Sequence, residues 1–185
     1  LSETQAMDAG VRVRILNVGQ GDAIVGILPG GDRAFVVDVY DSDSVLDFLT
    51  AEGIAEVVLF LSHSDHDHTA GAADFVTTFS EQGRILGIFY SEDRLNACVR
   101  SEYVVLTRVI GAFGRLARRR NPEFLFTEFN TVLNRLPDFA DLFPAPAFVR
   151  VVHPEPADQA SLIGQDINNT AGVLMVEGKT GNGKS

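Results

Sequence analysis

Apolar and polar residues alternate at the start of the chain, with Val11, Val13 and Ile15 set against Arg12 and Arg14. A period of two sends successive side chains to opposite faces, so this stretch reads as a strand with one wet face. Gly19, Gln20, Gly21 and Asp22 supply a turn, Ala23 to Leu28 a second strand, Pro29-Gly30-Gly31-Asp32 a hairpin turn, and Ala34 to Val39 a third strand. The chain is thus expected to open as a β-meander. The period then changes. Asp41, Ser42, Asp43 and Ser44 offer oxygens to the free N–H groups of a helix start, Val45 to Ala51 continue it, and Gly53 stops it. Glu56 to Leu61 is a short apolar run expected as a buried strand, Ala70 to Phe79 a helix, and Ile85 to Phe89 a further strand.

The middle of the chain has a different texture. From Asp93 to Arg119 there is no proline, and Leu95, Val99, Val105, Val109 and Phe113 recur at helical spacing, which predicts one long helix or two broken ones. Prolines at 122, 137, 144 and 146 surround Phe124, Leu125, Phe126 and Phe129, a group compatible with strand or helix. Residues 91–146 are therefore read as a helical elaboration on the core. Strands return at Phe148 to Val152 and at Gly172 to Val176. With 185 residues, 45% of them hydrophobic, the chain can fill one sizeable core, so residues 1–185 are expected to form a single domain.

Composition removes some functions. A net charge of −10 argues against broad nucleic-acid binding through a general positive field. Arg115, Arg118, Arg119 and Arg120 form a local basic patch that reads as a solvated helix end. The single Cys98 has no internal disulfide partner and reads as a buried thiol. No signal peptide or apolar span is apparent, so a soluble and cytoplasmic protein without a membrane partner is expected.

The chemistry is concentrated after the fourth strand. Leu61 to Gly71 reads LSHSDHDHTAG, which places three of the four histidines and two aspartates within six residues. Imidazoles and carboxylates crowded at a strand end make poor core material, because each must be desolvated and hydrogen-bonded, but they are ligands that zinc and similar divalent ions accept. If alternate side chains turn inward, His63, Asp65, Asp67 and His68 offer two pairs of ligands to two neighbouring sites, and His66 points away. Two divalent ions about 3.5–4 Å apart can polarise a phosphoryl or carbonyl oxygen and acidify water, so no catalytic Ser or Cys is needed. The competing reading is a solvated acidic loop whose histidines merely titrate. Anion binding without metal is opposed by Asp65 and Asp67.

The segment Ser62-His63-Ser64-Asp65-His66-Asp67-His68-Thr69-Ala70-Gly71 resembles the His-x-His-x-Asp-His loop of the metallo-β-lactamase superfamily, in the variant whose second histidine is aspartate. That variant is typical of the branch resembling the C-terminal domain of bacterial competence DNA-uptake proteins. Asn17-Val18-Gly19-Gln20-Gly21-Asp22-Ala23, Phe35-Val36-Val37-Asp38 and Asn168-Asn169-Thr170-Ala171 are similar to further motifs of that branch. The resemblance covers residues 11–75 and 148–178. It implies an α+β fold, the metallo-β-lactamase-like αββα sandwich with its second half incomplete, and a phosphodiesterase or nuclease-like hydrolase using up to two Zn²⁺ or Mn²⁺ ions. The substrate implied is a small phosphodiester or nucleic acid. His63 and Asp65 would hold one ion and Asp67 and His68 the other, with Asp67 also the candidate catalytic residue. Asp22 and Asp38 would sit beside the site as orienting groups, although they read equally well as a turn residue and a strand-end cap.

The chain departs from the family pattern at several positions. Asn17 stands where the family's opening motif has aspartate. No histidine occupies the usual third-ligand place, where Asn168 or Asn169 offers only an amide oxygen. His153, before Pro154, could reach the site or simply end its strand. The family's bridging Gly-Asp and final histidine would fall beyond Ser185, so the domain is expected to continue further in the natural protein. A downstream segment or partner chain would then complete the site. The alternative is a catalytically incomplete binding or regulatory module. A third reading comes from Gly178-Lys179-Thr180-Gly181-Asn182-Gly183-Lys184-Ser185, which satisfies the nucleotide-binding P-loop pattern, with Gly183 and Lys184 as its phosphate contacts, but reads more simply as a hairpin turn.

Overall fold

The computed structural model describes residues 10–63, 65–90, 125–128, 135, 137–143, 147–153 and 173–178. The meander forms as its alternation requires: β1 (Arg12–Ile15) pairs antiparallel with β2 (Ile24–Ile27), and β2 with β3 (Arg33–Val37). After β3 the chain crosses over through α1 (Ser42–Ala51) to β4 (Glu56–Leu61), which lies parallel to β3. Asp41 caps α1, its side chain accepting from Asp43 N at 3.2 Å and Ser44 Oγ at 2.6 Å. The far end closes by Gly53 N to Thr50 O and Ile54 N to Leu49 O, a Schellman arrangement that satisfies the last carbonyls.

A single turn, α2 (His66–Thr69), precedes α3 (Ala72–Gln82), and β5 (Arg84–Tyr90) returns parallel to β4. The helix predicted from residue 70 therefore starts two residues later, because Gly71 N is taken by Val39 O at 2.9 Å. Within the stretch read as a helical elaboration, β6 (Leu125–Glu128) is a strand parallel to β5. A short apolar run has no period that separates strand from helix, and pairing with β5 decides it. α4 (Pro137–Asp141) follows, and β7 (Ala147–His153) and β8 (Val173–Gly178) form a separate antiparallel pair. The main sheet runs β1-β2-β3-β4-β5-β6.

Strand alternation divides the core in two. Val36, Val57, Leu59, Leu61 and Ile88 face α1 and α3, packing against Val45, Leu49, Phe75 and Phe79. Phe35, Val58, Phe60 and Phe89 face the other way, against Val149 and Val151 of β7 and Phe139 and Phe143 near α4. Phe60 stacks on Phe89 at 5.1 Å between ring centroids. Each such ring, fully buried, contributes roughly 1.5–3 kcal/mol. The result is a mixed α+β sandwich with helices, the larger sheet and the smaller sheet in successive layers. A second helical layer is not seen among the described residues.

The expectation that β1 would bury one face fails. Val13 and Ile15 are 52% and 78% exposed, and Arg12 and Arg14 are exposed as well. β1 is the edge strand of the larger sheet, and both its faces stand exposed. No helix among the described residues is long and apolar enough to cross a membrane. The helices read at 93–119, Cys98 and the Arg115 to Arg120 patch lie outside the described residues.

Candidate metal centre

The site lies where β3 and β4 end side by side, with Val37 opposite Phe60. Asp38 is the next residue, and its N–H donates to Phe60 O at 2.8 Å. Its φ of 58° is in the left-handed region, which aspartate tolerates better than bulkier residues but still at a cost of about 1–3 kcal/mol. This turn carries the Asp38 carboxylate under the end of β4, where it is 4% exposed. There Oδ1 accepts from Ser62 N at 2.7 Å, and Oδ2 accepts from Ser62 Oγ at 2.6 Å and from His68 Nδ1 at 2.8 Å. Ser62 Oγ lies 2.9 Å from His63 Nδ1.

The two rings so gathered, His63 and His68, have centroids 3.9 Å apart. Three carboxylates approach their other edges. Asp65 Oδ2 is 3.3 Å from His63 Nε2, while Asp22 Oδ2 and Asp67 Oδ2 are 3.6 and 3.9 Å from His68 Nε2. His63 is buried, Asp65 and His68 are half-buried, and Asp22 and Asp67 are exposed. His66 turns away, edge-on to Tyr40 at 6.1 Å between ring centroids.

Backbone bonds hold this arrangement. α2 starts on the Asp65 carbonyl, which accepts from His68 N at 3.0 Å, Thr69 N at 3.1 Å and Thr69 Oγ1 at 2.9 Å. The Asp65 side chain makes no cap hydrogen bond, which leaves its carboxylate for His63. Val39 N donates to His68 O at 2.8 Å, and Asp22 N to Asp67 O at 3.0 Å, tying the loop to β3 and to the first turn. Two glycines permit the approach: a Cβ on Gly21 would overlap the Tyr40 side chain and the Asp67 carbonyl, and one on Gly71 would come within 2.7 Å of Ser42 N.

The same environment treats the two imidazoles differently. Burial, and secondarily the charge of His68, lowers the pKa of His63 below 6.5 despite the opposing pull of Asp38, Asp65 and Asp67. Burial also disfavours charge on His68, but the Asp38 hydrogen bond and charge, with Asp67 and Asp22, outweigh it and raise that pKa above 6.5.

The structure thus brings His63, Asp65, Asp67, His68, Asp22 and Asp38 together. Asn17 is exposed on the first turn. His153 is the last residue of β7, opposite Val173 in the smaller sheet. Asn168, Asn169 and residues 179–185 of the P-loop-like stretch lie outside the described residues. Ser62 is the participant that the sequence reading missed. Its signal was available: a hydroxyl directly follows β4, on a strand whose parallel neighbour ends in aspartate.

A divalent cation suits this donor set. His63 Nε2 is buried with no hydrogen-bond partner, since Asp65 Oδ2 stands at ion-pair distance without hydrogen-bond geometry. Leaving such an atom unsatisfied costs about 1–3 kcal/mol, which a shared cation would relieve. Imidazole nitrogen and carboxylate oxygen are ligands for zinc and its neighbours. Among the described residues, however, no set of three or more His, Cys, Asp or Glu side chains is already arranged so as to hold a metal ion.

No protein-family model and no curated protein matches this chain. Among solved structures it is similar to the metallo-beta-lactamase fold protein YhfI from Bacillus subtilis, with a TM-score of 0.46 and 13% sequence identity. That match covers 91% of this chain and 58% of the other, so the chain spans less than two thirds of that protein's length.

Proposed function

We propose that this chain is a metal-dependent hydrolase domain of the metallo-β-lactamase type, acting on phosphodiesters of a nucleic acid or nucleotide. The observation that carries the reading is the meeting of two imidazoles 3.9 Å apart with carboxylates at 3.3–3.9 Å, one ring nitrogen being buried and unpaired. His63 and Asp65 would hold one Zn²⁺ or Mn²⁺ ion and Asp67 and His68 a second, with Asp22 beside His68. When bound, such ions supply Lewis acidity, polarising a phosphoryl oxygen and acidifying water. The charge balance favours this reading for an anionic substrate. Asp22, Asp65 and Asp67, in a chain of net charge −10, repel a phosphodiester unless cations offset them. Asp38 aims His68 by holding its Nδ1–H, and the exposed Asp67 and Asp22 mark the side open to substrate. A downstream segment or a partner chain would supply the remaining ligands.

The test combines metal analysis with hydrolysis of a bis-aryl phosphodiester. The expected result is up to two ions per chain and turnover that chelator or Asp67→Ala abolishes. Turnover persisting in Asp67→Ala with chelator present overturns the proposal. That no set of three or more such side chains among the described residues is already arranged to hold a metal ion favours a second reading, a binding or regulatory module without catalysis. A folded chain that takes up no metal would support it.

A further inference from the structure

We propose that Ser62 is a positioning residue that fixes the tautomer of His63, so that its Nε2 is presented bare. The inference rests on the metal-centre reading for its purpose, but its geometry stands alone. Ser62 Oγ has one proton and two close neighbours: Asp38 Oδ2 at 2.6 Å and His63 Nδ1 at 2.9 Å. A carboxylate oxygen has no proton to give, so the short contact with Asp38 requires the hydroxyl to donate there. The hydroxyl is then left only as an acceptor towards His63, and Nδ1 must carry the ring proton. A neutral imidazole carries a single ring proton, so with Nδ1 protonated Nε2 has none.

The chain of donors runs one way: His63 Nδ1–H to Ser62 Oγ, and Ser62 O–H to Asp38 Oδ2. His68 reaches the same oxygen directly, Nδ1 to Oδ2 at 2.8 Å. A single carboxylate oxygen therefore sets the protonated nitrogen of both rings, through a hydroxyl in one case and directly in the other. Both Nε2 atoms are turned towards carboxylates, at 3.3 Å for His63 and 3.6 Å for His68. For His63 this places a lone pair against Asp65 Oδ2 with no proton between them, an arrangement that a cation relieves. Were His63 in the other tautomer, Nε2–H would face Asp65 and be occupied. Ser62 thus decides whether that edge of the ring donates a proton or a lone pair. Its burial, 8% exposed, keeps water from taking over the role.

The experiment reads the imidazole ¹⁵N shifts of His63 in the metal-free protein, in Ser62→Ala and in Ser62→Thr, with zinc affinity measured by chelator competition. Wild type and Ser62→Thr should show protonated Nδ1 and unprotonated Nε2. Ser62→Ala should shift the ring towards the Nε2–H tautomer and weaken zinc binding by about 10–100-fold, the range usual for groups that orient a ligand. An unchanged His63 tautomer in Ser62→Ala overturns the proposal. If Ser62→Ala does not fold, Ser62→Cys carries the same expectation, because sulfur is a weak acceptor. The ¹⁵N readout is independent of metal. A wild type that binds no zinc, yet shows the tautomer change, defeats the metal-centre reading and supports the role of Ser62.

Discussion

At the N-terminal ends of β3 and β4, Arg33 lies opposite Glu56, its Nε 3.0 Å and its Nη2 2.5 Å from Glu56 Oε2. Its remaining nitrogen donates to Leu142 O at 3.2 Å, and Arg84 reaches Glu56 Oε1 at 3.4 Å. Every charge there has an opposite within reach, and the groups are partly wet. At the C-terminal ends of the same strands, Asp38, Ser62 and His63 are buried and linked side chain to side chain, and the far nitrogen of His63, Nε2, has no hydrogen-bond partner. One end closes its electrostatics and braces the sheet. The other leaves an acceptor open at the cost of stability, as groups that bind something else do.

The largest difference between the two ends should come from deleting their central carboxylates. Asp38→Ala strands two buried donors of Ser62 and the Nδ1–H of His68, and is expected to lower the unfolding free energy by about 3–5 kcal/mol in denaturant titrations. Glu56→Gln at the opposite end should cost about 1 kcal/mol, because water can reach its partners. Equal losses would remove the distinction between a sealed end and a braced one.

A smaller effect sharpens the contrast through pH. In the metal-free protein His68, with its pKa raised above 6.5, adds stability that is fully present below that value and lost as pH rises through its folded pKa. His63, with its pKa lowered, does the reverse: its contribution is present above 6.5 and lost as pH falls towards its folded pKa. Urea midpoints across mildly acidic to mildly alkaline pH should therefore decline on both sides, His68→Gln flattening the alkaline limb and His63→Gln the acid limb. A limb that survives its substitution would show that the histidines do not carry it.

Local signals made much of this fold legible. The alternation of the meander, the Asp41 cap and the run from Glu56 to Leu61 are decided within a few residues, and the strand at Glu56–Leu61 has the bounds its sequence suggests. Other features depend on distant partners. Val13 and Ile15 look like core residues, but they lie on the edge strand of the larger sheet and stand exposed. Leu125 to Glu128 became a strand only because β5 lay alongside. In the site, the dense His and Asp loop announces itself, and Asp38 could be guessed from its place at a strand end. Ser62 carried a signal, a hydroxyl directly after β4, but its meaning depends on the parallel register that sets it beside Asp38.

The turn that follows Asp65 is nucleated by that residue's carbonyl, while its carboxylate is free of the backbone. Scaffold and reactivity thus reside on different atoms of one amino acid. Replacing the oxygen donor there with a nitrogen donor, as histidine would, leaves the carbonyl that starts the helical turn in place and, under the proposed metal binding, changes which cations are preferred. Evolution or a designer can retune this position without refolding the loop around it.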